Sequence, residues 1–547
     1  MNPKQAHFRC ISMEAPGQIP SRKRGRYNNN GDEKAKMVRE AEKIKNAETQ
    51  KSSGKLSERI WTAAILCVIA AVLLIRLYDG TDLPLDFHGV RQLRSAVISR
   101  SYYYRYIHAA PDIQKQAENL ADLEVYEPPF MEMIVGRINV WLGKDTFITG
   151  RVFSSVFWMI GAVFLWLLGR KNHSLPAVLV SLLFYAFLPF SVIAGRSFQP
   201  DPWMCAWTVM TACFMYRWAE KPDWGRMLVF AIFGSITVLI KVFSAFFVGF
   251  MLLGCFCAAL SKKNFWKTLL QAASAAGLIL LPSLVYYFLI NPGRSGDFFS
   301  FWVISLSHLI FTTSFYAKWI AMIKGLTGLV LPVLGLIGIL LSSKKERCLL
   351  SGWGLGYLFY GLSVPYQIYT HEYYSLILVP ILALALMSVW DALFAVLSHK
   401  NLLLRSAAGL IILAFAGYEA FTACGTLRSH DYRGEAAAWK QIADSIPPEA
   451  RFAALTSDYG FRLIYFGWRA PDVYWESTND ENLMALAGRS PEDFDSYFKV
   501  KTEGISYFLV SNIDELEKQP ELKARLETCP IYTVVNGCTI YDLRSPQ

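Results

Sequence analysis

The chain has 547 residues, 53% of them apolar, 14% aromatic and only 18% charged, with a formal net charge of +10. That composition excludes both an ordinary soluble domain and a disordered chain. The positive excess gathers in one tail and a set of short loops, so it calls for no nucleic-acid partner.

Residues 1–56 are polar and basic, with SRKRGR at 21–26, and read as a disordered tail whose charge run is solvated. A bilayer core takes roughly 20 apolar residues per helix. Runs of that kind recur at about 60–77, 150–169, 174–194, 202–217, 227–240, 243–260, 268–290, 319–342, 349–365, 374–397 and 403–423, which predicts a polytopic α-helical membrane protein with about 11 spans. The polar start makes the first run an uncleaved signal anchor. Lys and Arg fill alternate short loops (Arg170–Lys171, Arg217/Lys221/Arg226, Lys262/Lys263/Lys267, Lys344/Lys345/Arg347, Lys400/Arg405) and the tail, so that side is expected to be cytoplasmic and the C-terminus to lie outside.

Four outside segments follow from that orientation. The first, about 78–149, is long, and Val90, Leu93, Val97 and Ile98 recur with helical spacing, which predicts an amphipathic juxtamembrane helix; SYYYRY within it reads as an interfacial tyrosine belt. The second is the turn GRSFQPDP at 195–202, the third an aromatic-rich loop from Asn291 to about Lys318, the fourth SVPYQIYTHEYYS at 363–375. Beyond the last run, EAAAWKQIADSI reads as a helix and RFAALT, ISYFLV, PIYTVV and CTIYDL as strands, giving a small α/β domain over 426–547 behind a transmembrane module of 57–425. Of the ten cysteines most lie in spans, and the Asn-Gly turn of TVVNGCTI pairs Val535 with Cys538, leaving Cys529 far along the ladder and a Cys529–Cys538 disulfide disfavoured. No metal-ligand spacing is present.

Charged residues at span junctions are the candidates for chemistry. Asp86 lies in LDFHGVRQLRS, where the apolar Phe87, Val90 and Leu93 draw it and Arg91 and Arg94 toward the interface, whereas Asp79 and Asp82 read as solvated loop acids. Glu127 is fixed ahead of an apolar run by Pro128 and Pro129. Arg196 and Asp201 flank the second turn, where the alternative reading of Asp201 is a cap for the following helix. Lys241 interrupts LIKVFSAF, and His371, Glu372, Tyr373 and Tyr374 open another span. The acids can take a proton; the cations can hold an anion.

This ordered series resembles the polyprenyl-phosphate-sugar-dependent glycosyltransferases of the GT-C fold, in particular the protein O-mannosyltransferase and lipid A aminoarabinose transferase superfamily. The motifs that carry it are LDFHGVRQLRS, YEPPFMEMI, GRVFSSVFWMIGAVFLWLLGRK, GRSFQPDPW, LIKVFSAF and HEYYSLILVPILALALM, in the family's order over about 58–425. The chain departs from the pattern where relatives carry a second acid after the first; here Phe87 and His88 follow Asp86. The resemblance implies inverting sugar transfer from a polyprenyl phosphate to an acceptor hydroxyl of a glycan, glycolipid or protein at the outer face of a bacterial inner membrane. It implies Asp86 as general base and Arg91, Arg196, Lys241 and His371 on the donor phosphate. Glu127 and Asp201 then orient the acceptor, the basic residues or a divalent ion, and Tyr373 and Tyr374 line the lipid groove or bond the sugar. A lipid-linked glycan flippase or other permease is the alternative; it leaves the long first loop unexplained. A membrane anchor that displays the α/β domain as a binding module leaves the loop acids unexplained.

Overall fold

The structure is a computed structural model that describes residues 56–121, 127–260, 264–489 and 493–544. Two compact units are distinguished, Met1–Ile60 and Trp61–Gln547. Of the first, only the opening residues of the helix Leu56–Leu77 are described, and the tail read over 1–56 otherwise lies outside the described residues.

Among the described residues six helices are long and apolar enough to cross a membrane, or up to eight if each of two bent helix pairs is one span. The expected eleven runs are all helical, but Pro200–Glu220, Trp224–Ile240 and Lys344–Ser363 fall short of that measure in length or apolarity. One run is broken: 319–342 divides into Thr313–Thr327 and Val330–Leu341, where Gly328 takes φ +69°, a value that suits only glycine. The run at 174–194 bends by 61° where Leu188 meets Pro189, because a proline cannot donate its missing N–H to the helix before it. The third outside segment is not a loop. Pro292–Phe311 is helical with π-helical turns, and it bends 103° into Thr313–Thr327.

Within the bundle, Ala245–Ala259 packs along Lys344–Ser363 at a backbone approach that only small residues allow. A Cβ on Gly254 would meet the Cys348 carbonyl oxygen, and one on Gly352 the Phe250 carbonyl oxygen. Gly356, one turn further on, would meet the Phe246 carbonyl oxygen at 2.7 Å.

The first outside segment folds as three helices, Gly89–Tyr106, Pro111–Ala121 and Phe130–Leu142. The helix over LDFHGVRQLRS exists as the apolar spacing predicts, but it is not a one-faced surface helix. Gln92, Leu93, Ser95, Val97, Ile98, Ser99 and Arg100 are buried on all its sides, because Phe130–Leu142, Pro111–Ala121 and the helix Phe461–Gly467 of the C-terminal part close around it.

The C-terminal part is an α/β layer. Strands β1 (Phe452–Leu455), β2 (Val473–Tyr474), β3 (Tyr507–Val510), β4 (Ile531–Val535) and β5 (Cys538–Asp542) form one sheet in the order β2-β1-β3-β5-β4. β1 runs parallel to β2 and β3; β5 pairs antiparallel with β3 and β4. β1 and β3 are buried on both faces, as parallel strands covered by helices are. The hairpin β4–β5 turns at Asn536 (φ 48°) and Gly537 (φ 76°) and pairs Val535 with Cys538, while Cys529 and Cys538 are both free thiols. The two-residue β2 carried no alternating pattern by which to read it.

A bulkier side chain at the helix contact tests the packing. Gly352→Leu overpacks a backbone-to-backbone contact and is expected to cost about 1–3 kcal/mol, read as a lower melting temperature in detergent. Gly354→Ala, two residues away with open space around it, is expected to melt as the unaltered protein does; equal losses in the two variants would refute the contact.

Candidate active site at the bundle end

The predicted residues converge because five connections meet at one end of the bundle. Asp86 stands ahead of the helix Gly89–Tyr106, whose preceding residue His88 adopts a left-handed φ of 46°. From there Asp86 reaches two guanidinium groups. Arg151, on the first turn of Ile148–Gly169, donates to Oδ1 and also to the carbonyls of Asp82 (2.8 Å) and Leu83 (3.1 Å). Arg196, at the end of Pro189–Arg196, donates to Oδ2 through Nη2 (2.6 Å) and Nε (3.1 Å). Gln92 adds Nε2–H to Oδ1 at 3.1 Å and accepts the Phe198 N–H at 3.1 Å. These four donors fill the lone-pair sites a carboxylate offers. Burial pushes Asp86 up, but the Arg151 and Arg196 charges outweigh it and hold the carboxyl below its usual range.

Beside this group, Arg91 donates to Glu127 at 3.1 Å, and its guanidinium lies 5.6 Å from the centre of the Tyr373 ring. Burial raises Glu127, yet Arg91, Lys241 and Arg94 hold it below the ordinary carboxylate range. Lys241 does not snorkel. It is 2% exposed and donates to Asp201 Oδ1 at 2.6 Å, with its ammonium 4.1 Å from the Tyr374 ring centre and 5.3 Å from that of Tyr373. Trp224–Ile240 ends just before it, so the lysine sits at a helix break under the turn that supplies Asp201. Among the described residues Asp201 Oδ2 has no hydrogen-bond partner.

His371 stacks on His88 with centroids 5.7 Å apart, and His88 Nε2 bonds Glu372 Oε2 at 2.5 Å. Burial, with His88 and Arg91 nearby, pulls His371 down to about 3, so its imidazole is neutral at ordinary pH. His88 was not among the candidates, and its partner Glu372 lies 284 residues away, beyond the reach of sequence pattern.

A small cleft opens beside these groups, lined among others by Arg91, Arg94, Glu127, Glu132 and Pro200. Glu132 is the second acid of the Pro-Pro segment; it is 5% exposed and accepts from Ser95 Oγ at 2.8 Å. Arg151 and Glu132 were missed as single residues although both stand in the quoted motifs. The signal was there: each is a charge set into an otherwise apolar helix start. Among the described residues no group of three or more His, Cys, Asp and Glu side chains converges as metal ligands do.

Asp79 and Asp82 are not solvated loop acids. Asp82 is 2% exposed and accepts the backbone N–H groups of Leu83 (2.8 Å) and Tyr432 (3.1 Å), and Asp79 pairs with Arg433. Both hold the start of the C-terminal part against the first loop. Arg100 does the same from the helix Gly89–Tyr106: it donates to Asp145 (2.7 Å) and to the Tyr465 carbonyl (2.6 Å), and its guanidinium lies 4.0 Å from the Tyr465 ring centre and 4.6 Å from that of Trp468.

A family model described as dolichyl-phosphate-mannose-protein mannosyltransferase matches residues 127–287. ArnT from Cupriavidus metallidurans, in a crystal structure bound to undecaprenyl phosphate, superposes with a TM-score of 0.54 at 15% identity, covering 89% of this chain and 99% of that one. Its apo structure gives 0.52 at 15% identity, over 88% and 99%. The archaeal oligosaccharyltransferase AglB from Archaeoglobus fulgidus, in complex with an inhibitory peptide and a dolichol phosphate, gives 0.48 at 14% identity over 82% and 69%. No curated protein matches the chain by sequence. The chain thus has the fold of ArnT, and the resemblance to GT-C glycosyltransferases read from the six motifs is borne out.

The buried pair Lys241–Asp201 is open to a direct test. Lys241→Met leaves Asp201 buried without its counter-charge, which typically costs about 3–5 kcal/mol. The variant is expected to melt well below the unaltered protein in detergent, and the double variant Lys241→Met/Asp201→Asn is expected to recover most of the loss. Additive losses would show the two side chains to be uncoupled.

Proposed function

We propose that the chain is an inverting glycosyltransferase that moves a sugar from a polyprenyl phosphate carrier to an acceptor hydroxyl at the outer face of a bacterial inner membrane. The observation that carries the reading is the gathering of guanidinium groups and carboxylates at the end of an apolar helix bundle, in the Asp86–Arg151–Arg196 contact and in the neighbouring cleft lined by Arg91, Arg94, Glu127 and Glu132. Arginine forks suit a phosphate, a carboxylate suits a leaving hydroxyl proton, and apolar spans suit a prenyl chain. That ArnT binds undecaprenyl phosphate supports the same class of donor, and the alternation of basic loops supports the outer face.

In the reaction the acceptor oxygen attacks the anomeric carbon as the bond from that carbon to the lipid phosphate breaks. The electron pair of the broken bond stays on the phosphate oxygen, and the acceptor proton passes to the Asp86 carboxylate. Asp86 is ionised at neutral pH, the form a base requires, but its lone pairs are occupied. The donor resolves this. Arg196 turns part of its fork from Asp86 Oδ2 to the incoming phosphate, which frees a lone pair and raises the proton affinity of the acid. The same movement aims a guanidinium at the oxygen where charge develops, and it does so in a water-poor site where such a contact is strongest. Arg91 and Lys241 add positive field from the other side, and neutral His371 offers a hydrogen bond. Glu127 and Asp201 keep those two cations in position and orient the acceptor. Tyr373 and Tyr374 flank the route of the lipid. The acceptor is a glycan, a glycolipid or a protein, and the α/β layer at 426–547 borders the side from which it arrives.

The test is reconstituted protein with a labelled polyprenyl-phosphate hexose or pentose and a panel of acceptors. Asp86→Asn is expected to lower transfer by about 10²–10⁴-fold while donor binding persists. Full transfer by that variant would remove Asp86 as base. Passage of lipid-linked sugar across the bilayer with no transfer or hydrolysis would replace the enzyme by a permease.

A further inference from the structure

Glu132 is the acid lining the cleft that makes no ion pair among the described residues. Glu127, the other acid of the lining, has Arg91, and nearby Asp86 has Arg151 and Arg196 and Asp201 has Lys241, whereas Glu132 takes the Ser95 hydroxyl and its own backbone N–H. It nonetheless lines the same cleft as Arg91 and Arg94. An ionised carboxylate there would repel the anion those arginines attract. A protonated carboxyl would do the reverse, since it carries an O–H donor and no charge.

We propose that Glu132 is a donor-binding residue that recognises the lipid-linked phosphate as a neutral carboxylic acid, giving its O–H to a phosphate oxygen while Arg91 and Arg94 supply the charge. This rests on the reading of the cleft as a lipid-phosphate site and assigns a residue of that site. The geometry supplies the reasons. The carboxyl is 5% exposed on the buried face of Phe130–Leu142, in the first turn of the helix that the Pro-Pro turn starts. Ser95 donates to Oε1, and a protonated carboxyl still carries an O–H to give. The charged and titratable groups facing it are Arg94 and Tyr102 from Gly89–Tyr106 and Glu127 from the turn before its own helix. The proton affinity agrees: burial lifts Glu132 to about 7, with Glu127 adding to the rise and its own backbone N–H, Ser95 and Arg94 opposing it. An anion in the cleft raises it further, so binding takes up a proton when the pH lies near or above that value.

The sign follows. The competent form is the protonated one, so affinity is full below about pH 7 and falls as the pH rises, by up to about tenfold per unit for a single proton. The probe is a short polyprenyl methyl phosphodiester, which keeps one negative charge throughout and adds no titration of its own. Its binding to full-length protein in detergent is measured from about pH 6 to 9, with no transfer required. The unaltered protein is expected to show the falling slope. Glu132→Gln, whose amide keeps an N–H donor at every pH, is expected to bind as the unaltered protein does at pH 6 and to lose the slope, which separates Glu132 from His88 and every other group. Glu132→Ala is expected to bind at least about tenfold more weakly at pH 6. A Glu132→Gln variant that keeps the slope would overturn the proposal, as would a Glu132→Ala variant as tight as the unaltered protein. Failure of every form to bind the probe would instead sink the lipid-phosphate reading and the proposal with it. Binding with the expected slope but no sugar transfer in the reconstituted assay would sink only the enzyme.

Discussion

The contact on which the site depends is the carboxylate of Asp86 between Arg151 and Arg196. It joins three parts of the chain that are far apart in sequence: the first loop, the start of Ile148–Gly169 and the end of Pro189–Arg196. Each guanidinium also caps backbone carbonyls of the first loop, Arg151 those of Asp82 and Leu83 and Arg196 that of Tyr78 (2.5 Å). Taking such charges out of water is costly unless every proton and lone pair is met. Here the carboxylate is met fully, and the loop between Tyr78 and Asp86 has little freedom left. The base proposed for the reaction must stand in one place, and Asp86 is built into the frame that holds the bundle end together.

The same constraint explains why the C-terminal layer is so closely tied to the first loop. A helix such as Gly89–Tyr106 would be marginal alone, and much of what it buries is polar: Gln92, Ser95, Ser99, Arg100 and Ser101. Its stability therefore has to come from partners. Arg100, between the rings of Tyr465 and Trp468 and bonded to Asp145, draws the helix Phe461–Gly467 onto it. The loop leading into that helix carries Asp458 and Tyr459 in the left-handed region, at φ 59° and 54°. Such backbone is held only where surrounding contacts over-determine it, and Asp458 is indeed held by Arg462, which also binds Glu435. The loop meets Gly89, three residues from Asp86. The α/β layer thus reaches the start of Gly89–Tyr106 through the Asp458 side chain, although none of its residues is among those that line the cleft.

Much of this was legible in the sequence because its signals are local. Apolar runs give helices, Pro-Pro gives a turn, and Asn-Gly gives the hairpin that pairs Val535 with Cys538. The candidates Asp86, Arg91, Glu127, Arg196, Asp201, Lys241 and His371 were picked out because each is a charge at a span end, and the fold brings those ends together. What was not legible depends on distant partners. Lys241 looks like a snorkelling lysine until Asp201 is seen beside it. Asp82 looks solvated until the N–H of Tyr432, 350 residues on, arrives at its carboxylate. The segment Asn291–Lys318 read as an aromatic-rich loop because it lies between two apolar runs; it is helical, and Leu306 and Leu309 pack with Leu483, a partner distant in sequence.

A last step concerns charge. Around the cleft and the Asp86 knot stand Arg91, Arg94, Arg151, Arg196 and Lys241, with Asp86, Glu127 and Asp201 paired among them. At a bundle end packed with apolar side chains these charges are poorly screened. In the proposed reaction a bound phosphate diester brings one negative charge within reach of the guanidinium groups, and the lipid phosphate released by transfer brings more. Such surroundings favour the product-side charge over the ground state, which is the direction in which electrostatics lowers a barrier. An ionised Glu132 would oppose that pull, so the attraction for a phosphate and the burial of a carboxyl with no ion pair among the described residues are two aspects of one arrangement.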